Sequence, residues 1–260
     1  MVKWSPTGHR VVRGIGVILA GAGVWLAGCG PVNEQYVGPA RLEHGLVIIL
    51  PGIEGEGPLS YSVRQGLLDA DIQAALPIYR WGRPVPLAGP LLNQMDEQGN
   101  RLAAGRIARM IVDYQDTHPG RPVHLVGHSG GGGVAVFAAE ALPPGRQVEG
   151  LVLLSASISS GYDLSKALAH CRKGIVNFYS KGDVGFLVLG TTVFGNVDGV
   201  RGPAAGAVGF KYPRPGLYQV GWRAEMAGSG HLGGHAGTTA SGFVERYVVP
   251  WIRAASWPVQ

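Results

Sequence analysis

A serine flanked by glycines is the residue with the clearest capacity for chemistry in this sequence. Residues 127–131 read Gly-His-Ser-Gly-Gly and match the pattern Gly-x-Ser-x-Gly, with Ser129 at its centre. An apolar stretch, residues 122–127, precedes the pattern, and a stretch rich in Ala and Gly, residues 130–142, follows it. A serine on a sharp strand-to-helix turn projects its hydroxyl above the sheet and can attack a carbonyl carbon. We therefore predict that Ser129 is a nucleophile; the alternative is a structural turn in a glycine-rich chain.

Segments with strand character alternate with helical segments from residue 44 onward. The predicted strands are residues 46–50, 72–79, 122–127, 148–155, 174–180 and 217–226. The predicted helices are residues 60–70, 101–117, 130–142, 163–171 and 241–253. This alternation implies right-handed βαβ units. It predicts an α/β fold with a mostly parallel central sheet and helices on both faces.

The strand–serine–helix context resembles the α/β-hydrolase family over roughly residues 44–253. The resemblance implies an α/β-hydrolase fold and a catalytic triad in the chain order Ser, acid, His. It implies that the acid is Asp183, in the loop after the second predicted strand that follows Ser129. Asp163 is the fallback for this role, and Asp198 is a weaker candidate.

The same resemblance implies a histidine base in the loop of residues 228–237, which precedes the last predicted helix. Two histidines lie there, His231 and His235. His235 is eight residues before Phe243, the first large apolar residue of that helix, whereas His231 is twelve residues before it. The shorter reach resembles the family pattern and favours His235, with His231 as the alternative base.

Two backbone N–H groups are expected to form an oxyanion hole, which stabilises the negative charge of the tetrahedral intermediate. One belongs to Gly130, directly after the nucleophile. By resemblance the other belongs to Ile53, in the loop after the strand at 46–50. The neighbouring Glu54 is expected either to face solvent or to bind substrate, and His128 to be a packing residue or an exposed neighbour.

Neither a metal nor a cofactor is predicted. His231 and His235 have an i, i+4 spacing, but Leu-Gly-Gly between them is a poor helix former, and the glutamate of a His-Glu-x-x-His zinc motif is missing. Residues 228–233 formally match the dinucleotide pattern Gly-x-Gly-x-x-Gly. They lie near the carboxyl terminus, outside the early βαβ unit in which that pattern binds nucleotides.

The amino-terminal residues read as an export signal. Residues 1–13 are polar and cationic, and residues 14–28 are apolar and uncharged, too short for a membrane-spanning helix of about 20 residues. The sequence Leu-Ala-Gly-Cys that ends at Cys29 resembles the bacterial lipobox, which implies lipidation of that cysteine. The expected organisation is a signal peptide at 1–28, a tether at 29–43 and a catalytic domain at 44–260, anchored to a membrane of the bacterial cell envelope. An ordinary signal peptide and an uncleaved anchor are the alternatives.

Composition excludes several other classes of protein. A hydrophobic fraction of 46% with 15% charged residues is not that of a disordered chain. Lys and Arg number 22 against 17 acids, but three of the cations lie in the first 28 residues, so the remainder is close to neutral. No basic run with interleaved aromatic residues follows, so nucleic acid is not an expected partner. With Cys29 lipidated, Cys171 has no disulfide partner and is predicted to be a small buried residue.

The expected reaction is hydrolysis of a carboxylic ester through an acyl-enzyme. Only about 18 residues separate the strands at 148–155 and 174–180, so little or no cap domain is expected there and the site should be open. Residues 184–216 either line an apolar acyl pocket or pack beneath a long loop. A thioesterase or acyltransferase with the same triad, and a non-catalytic envelope binding protein on the same fold, are the alternative functions.

Overall fold

The computed structural model of the protein describes residues 34–82, 96–183 and 195–258. The strands are β1 (Leu46–Leu50), β2 (Val123–His128), β3 (Val148–Leu154), β4 (Cys171–Tyr179) and β5 (Leu217–Gly221). The α-helices are α1 (Glu34–Val37), α2 (Pro39–Leu42), α3 (Pro58–Asp69), α4 (Glu97–Thr117), α5 (Gly130–Glu140), α6 (Ser165–Ala169), α7 (Ala205–Val208), α8 (Ser241–Phe243) and α9 (Val249–Arg253). Two 3₁₀ turns, Ala224–Ser229 and His235–Thr239, and a π-helical turn, Val244–Val248, lie between β5 and α9.

The five strands form one parallel sheet in the order β1-β2-β3-β4-β5. Residues 75–78 lie along the free edge of β1, to which the carbonyl groups of Ala75 and Pro77 are hydrogen-bonded. The strand predicted at 72–79 is therefore present only as isolated bridges, because Pro77 has no N–H for a ladder. The α/β class with a parallel sheet is confirmed.

The winding of the chain reverses direction between β1 and β2. From β1 the chain crosses to residues 75–78 at one edge, then returns past β1 to form β2 on its other side. In open parallel sheets such a reversal leaves a crevice outside the carboxyl ends of the two strands, and ligands bind there. Here the residues that follow those ends are the 51–55 loop and Ser129.

Apolar side chains cover both faces of the sheet, as expected for buried parallel strands. On one face, Ile48, Leu125 and Leu151 lie in a core that also contains side chains of α4, α5 and α6. On the other face, Val47, Val126 and Val152 lie in a second core with side chains of α3 and the carboxyl-terminal helices. This sandwich fixes the sheet, and with it the positions at which the strands end.

Several predicted boundaries are wrong for identifiable reasons. Helix α4 begins at Glu97 rather than at 101, because the Asp96 carboxylate accepts a hydrogen bond from Gly99 N at 2.9 Å and caps the helix. The predicted strand 217–226 ends at Gly221, since a 3₁₀ turn begins at Ala224. The predicted final helix is interrupted by a π-helical turn before Pro250, which has no N–H to continue the ladder.

Residues before the predicted boundary at residue 44 contact the segment at 72–76. The Arg41 guanidinium donates hydrogen bonds to the carbonyl groups of Ile72 and Ala74, at 3.1 and 2.9 Å. The carbonyl of Tyr36 accepts from Leu76 N at 2.8 Å. Tyr36 and Arg41, in the predicted tether at 29–43, are thus hydrogen-bonded to the segment at 72–76.

Some predictions lie outside the described residues. These are the signal peptide at 1–28, the lipidation site Cys29 and the apolar segment 184–194. Phe210, from the same predicted pocket region, is buried in the core beside α4–α6. Between β3 and β4 the chain forms only the short helix α6, and within the described ranges no helix is both long and apolar enough to cross a membrane.

Candidate active site

Ser129 occupies a strained turn between β2 and α5. Its backbone has φ +52° and ψ −123°, a combination that non-glycine residues rarely adopt and that costs about 1–3 kcal/mol. Ser129 N donates to the carbonyl of Leu154 at 2.9 Å, and the carbonyl of Ser129 accepts from Ser157 N at 2.9 Å. Leu154 is the last residue of β3, and Ser157 lies three residues beyond it. The neighbouring strand therefore holds the turn in place.

The glycines around Ser129 allow a close approach between α5 and the sheet. A Cβ atom on Gly131 would lie 2.3 Å from the carbonyl oxygens of both Leu50 and Pro51. A Cβ atom on Gly127 would lie 2.5 Å from the carbonyl oxygen of Gly131. Because these neighbours are backbone atoms, no side chain rotation relieves the clash, and the turn requires glycine at both positions.

The predicted acid and the favoured base are in contact. Asp183 Oδ2 lies 2.7 Å from Nδ1 of His235. The Asp183 side chain is buried, at 1% exposed, and the His235 side chain is partly buried, at 11% exposed. Asp183 follows the end of β4, and His235 begins the 3₁₀ turn before α8. Ser180, to which the sequence assigned no role, joins the two loops by donating its hydroxyl to the carbonyl of Gly233 at 2.5 Å.

The loop that carries His235 is fastened to the serine turn. The rings of His128 and His235 are 4.9 Å apart between centroids, and His128 Nε2 is 3.4 Å from the carbonyl oxygen of His235. Three residues further on, the hydroxyl of Thr238 is 3.2 Å from that of Ser155, at the end of β3. The structure thus brings Ser129, Asp183 and His235 to one edge of the sheet.

His231, the alternative base, packs into the apolar core instead. Its ring contacts Phe243 edge-on, with the centroids 4.9 Å apart. Its Nδ1 accepts a hydrogen bond from Gly233 N at 3.3 Å. Burial lowers the pKa of His231 to about 4, although the charge of Asp183 opposes the shift. The arrangement is that of a structural histidine beneath the loop.

The two alternative acids have other partners. Asp163 is exposed and pairs with Arg214 at 2.9 Å. Asp198 is buried, and its carboxylate accepts hydrogen bonds from the hydroxyl and the N–H of Ser159, at 2.5 and 3.2 Å. Burial raises the pKa of Asp198, against the opposing effect of these hydrogen bonds. Of the three carboxylates, only Asp183 contacts a histidine.

The two predicted oxyanion donors are neighbours. The Cβ position of Gly130 is 2.9 Å from Cγ2 of Ile53 and 3.2 Å from the ring of Trp81. Trp81, which the sequence analysis missed, donates its indole N–H to the carbonyl of Pro51 at 2.7 Å and so holds the 51–55 loop against the turn. Within the described ranges, the N–H groups of Ile53 and Gly130 have no intramolecular acceptor.

Glu54 is held by backbone and by His128. Its Oε1 accepts from Gly52 N at 3.2 Å and lies 3.6 Å from Nδ1 of His128. Burial alone raises the pKa of Glu54, but the nearby His128 ring and two backbone N–H groups lower it on balance. His128 is fully buried rather than exposed, and burial lowers its pKa, although Glu54 opposes the shift. His128 therefore connects the 51–55 loop to the loop that carries His235.

The described residues contain no group of three or more His, Cys, Asp or Glu side chains that would hold a metal ion. The glycine pattern at 228–233 lies at the end of a 3₁₀ turn rather than between a strand and a helix. Cys171, the cysteine within the described ranges, is buried at the start of β4, and burial raises its thiol pKa to about 12. A thiol with that pKa stays protonated and unreactive at neutral pH.

The parallel sheet, the helices on both faces and the strand–serine–helix turn fit the α/β-hydrolase fold. No protein-family model matches the sequence, and no curated protein matches it. Among solved structures the chain is similar to the esterase PE8, with 17% identity, coverage of 77% of this chain and 91% of the other, and a TM-score of 0.43. It is also similar to Aspergillus fumigatus lipase B, with 14% identity, coverage of 78% and 51%, and a TM-score of 0.46.

A third similar structure is described as a predicted CIB-like hydrolase from Thermoplasma acidophilum. The identity is 15%, the coverage is 81% of this chain and 87% of the other, and the TM-score is 0.44. Likenesses at this level assign no activity to the present chain.

Proposed function

We propose that the protein is a serine hydrolase that cleaves carboxylic esters, with Ser129 as nucleophile, His235 as base and Asp183 as the residue that orients the base. The observation that carries this proposal is the 2.7 Å contact between Asp183 and His235 at the sheet edge where Ser129 occupies its strained turn. Structural turns do not require a buried carboxylate–imidazole pair beside them. A nucleophilic serine does, because its hydroxyl proton must be removed.

The proposed mechanism has two halves. In the first, His235 Nε2 removes the hydroxyl proton of Ser129, whose oxygen attacks the ester carbonyl, and the protonated imidazole then gives that proton to the departing alcohol. In the second, His235 removes a proton from water as the water oxygen attacks the acyl carbonyl. The bond to Ser129 then breaks, the imidazolium returns its proton to the serine oxygen, and the carboxylic acid is released. Asp183 stabilises the imidazolium in both halves.

The N–H groups of Ile53 and Gly130 are suited to bind the oxyanion. Ile53 belongs to the 51–55 loop and Gly130 to the start of α5, and both segments are held in place by their neighbours. Little reorganisation is therefore needed as the negative charge develops on the substrate oxygen. Glu54 stands beside this pair, but its carboxylate is already bonded to Gly52 N and directed at His128.

Oxygen esters are the proposed substrate class. The β3–β4 connection carries only α6 and adds no cap over the edge where Ser129 lies, which suits an acyl group entering from solvent. The test is hydrolysis of p-nitrophenyl esters of increasing acyl length by the wild type and by Ser129→Ala. Turnover that disappears in the variant supports the proposal. Faster cleavage of matched thioesters would move the assignment to a thioesterase, and turnover of neither class by folded protein would favour a binding protein.

We also propose that the protein is exported and anchored to a membrane of the bacterial cell envelope through a lipid on Cys29. The support is the sequence alone, in which a cationic and an apolar segment precede Leu26-Ala27-Gly28-Cys29. Several acyl chains on one residue give stable anchoring. Fractionation of cells that produce the wild type or Cys29→Ser tests this. Loss of membrane association in the variant is expected, and a wild type recovered as a cleaved protein in the soluble fraction would contradict the proposal.

A further inference from the structure

A cavity of about 330 Å³ lies at the edge of the sheet opposite Ser129. Its wall includes Leu46 at the start of β1, His124 near the start of β2 and Lys173 near the start of β4. His124 and Ser129 are five residues apart along β2, which corresponds to about 16 Å. The cavity is therefore separate from the proposed active site, and its volume is that of a site for a small molecule.

His124, one of the residues that line this cavity, has an unsatisfied polar atom. The residue is 3% exposed, and its Nε2 is buried without a hydrogen-bond partner among the described residues. Burial, helped by the charge of Lys173, lowers the pKa of His124 to about 3, so the ring is neutral at physiological pH and one of its nitrogens carries a proton. A buried polar atom without a partner is unfavourable, and a ligand that supplies an acceptor to Nε2–H would remove that penalty.

Lys173 has an N–H donor available for a ligand. Its side chain is 12% exposed, and its ammonium donates to the carbonyl of Ala254 at 2.7 Å and pairs with Glu149 at 3.3 Å. An ammonium has three N–H donors, so one remains. Glu149 is shared with Arg172 at 3.4 Å, which leaves the group of two cations and one carboxylate with a net positive charge.

The remaining wall suits a short alkyl chain and a single negative charge. Leu46, Pro122 and Ile252 contribute apolar surface. The other ionisable side chains at the cavity are Asp71, Arg253 and His44, all exposed. Asp71 is hydrogen-bonded to Gln73, and the Arg253 guanidinium is bonded to the carbonyl of Ala70. With Lys173 and Arg253 as cations and Asp71 as the carboxylate, the wall has a net charge of one positive unit. A bound anion with a single negative charge would neutralise it.

We propose that this cavity is a binding site for a small aliphatic monocarboxylate. The carboxylate accepts hydrogen bonds from Lys173 Nζ and from His124 Nε2–H, and the alkyl chain lies against Leu46, Pro122 and Ile252. The site stands independently of the proposed hydrolase activity, because none of its residues touches Ser129, Asp183 or His235.

The test is a titration of the full chain, labelled with ¹⁵N in its histidines, with hexanoate. It uses the Ser129→Ala background, so that hydrolysis plays no part. Saturable binding that shifts the His124 resonance is expected. His44 also lines the cavity, so the His124 resonance is assigned as the one missing in His124→Phe. Lys173→Met should weaken binding at least tenfold, whereas Lys166→Met, which removes an exposed lysine from α6, should leave it unchanged. Hexanamide, the uncharged analogue, should also bind at least tenfold more weakly.

A second variant tests the site independently, in case Lys173→Met does not fold. Ala74 lines the cavity and is buried, so Ala74→Leu fills part of the space without removing a charge and should abolish binding. No saturable binding by the wild type up to about 10 mM would overturn the proposal. Equal affinity in Lys173→Met and Lys166→Met would do so as well. Inorganic phosphate binding as tightly as hexanoate would show that the alkyl chain contributes nothing, and would overturn the assignment to a monocarboxylate.

Discussion

Asp183 Oδ2 lies 2.7 Å from Nδ1 of His235, although 52 residues separate them in the chain. When Nδ1–H of a neutral imidazole donates to a carboxylate, Nε2 is left as an acceptor. This is the form that a general base requires, and the carboxylate stabilises the ring once it is protonated. The contact therefore supports the proposal that His235, and not His231, is the base.

The histidine assignment predicts a clear difference between two variants. His235→Ala should lower kcat/KM for an ester by about 10³-fold or more with little change in stability, since triad residues act as a unit. His231→Ala should instead lower the free energy of unfolding by about 2 kcal/mol or more, because it leaves a cavity against Phe243. Steady-state kinetics and urea unfolding of both variants make the comparison. Near-normal kcat/KM for His235→Ala would reverse the assignment.

The acid assignment predicts that Asp183→Asn lowers kcat by roughly 10³- to 10⁴-fold. The amide keeps the shape of the side chain but accepts poorly from Nδ1–H and leaves the developing imidazolium without its counter-charge. Asp163→Asn is the matched control, since Asp163 is exposed and pairs with Arg214, and its activity should stay within about twofold of the wild type. A large loss in the control with a small loss in Asp183→Asn would contradict the assignment.

The tight approach of α5 to the sheet predicts a steric effect at Gly131. Gly131→Ala should destabilise the protein by about 1–3 kcal/mol or more, because the new Cβ would lie 2.3 Å from two carbonyl oxygens. Gly228→Ala is the control, since no atom lies within 4 Å of its Cβ position. Thermal or urea unfolding measures both. Equal stability of the two variants would show that α5 can move away from the strands.

The buried histidines predict a loss of stability in acid. The folded-state pKa of His231 is about 4, below the value of about 6.5 expected in the unfolded chain, so the unfolded state takes up its proton first as the pH falls. The free energy of unfolding should therefore decrease from about pH 6.5 to about pH 4, and His124 should act in the same direction.

Unfolding of His231→Phe between pH 7 and pH 5 checks this sign. The variant should lose about 2 kcal/mol less than the wild type over that interval, because phenylalanine binds no proton. A Phe variant whose stability falls in parallel with the wild type would show that His231 makes no contribution to the acid sensitivity.

The sequence predicts the sheet and the serine turn well, since both depend on local patterns. The apolar run at 46–50 and the Gly-x-Ser-x-Gly pattern specify a buried strand and a strand-to-helix turn within a few residues of chain. Element boundaries are less well predicted. The start of α4 depends on the Asp96 cap, and the end of β5 on the 3₁₀ turn that follows.

Contacts between distant loops could not be predicted from the sequence. Trp81 supports the 51–55 loop, Ser180 joins the loop of Asp183 to that of His235, and His128 contacts both Glu54 and His235. None of these residues belongs to a sequence motif that predicts its contact partner. Each contact exists because the parallel sheet brings the carboxyl ends of its strands to one edge.

The most direct measurement of the central claim is covalent labelling by a fluorophosphonate followed by mass spectrometry of the peptides. Such a probe phosphonylates a serine hydroxyl that a neighbouring base activates, and fluoride leaves. The expected result is a single adduct on Ser129 in the wild type, with labelling strongly slowed in His235→Ala and retained in His231→Ala protein that is folded. Folded wild-type protein that stays unlabelled, or an adduct on a different serine, would contradict the account.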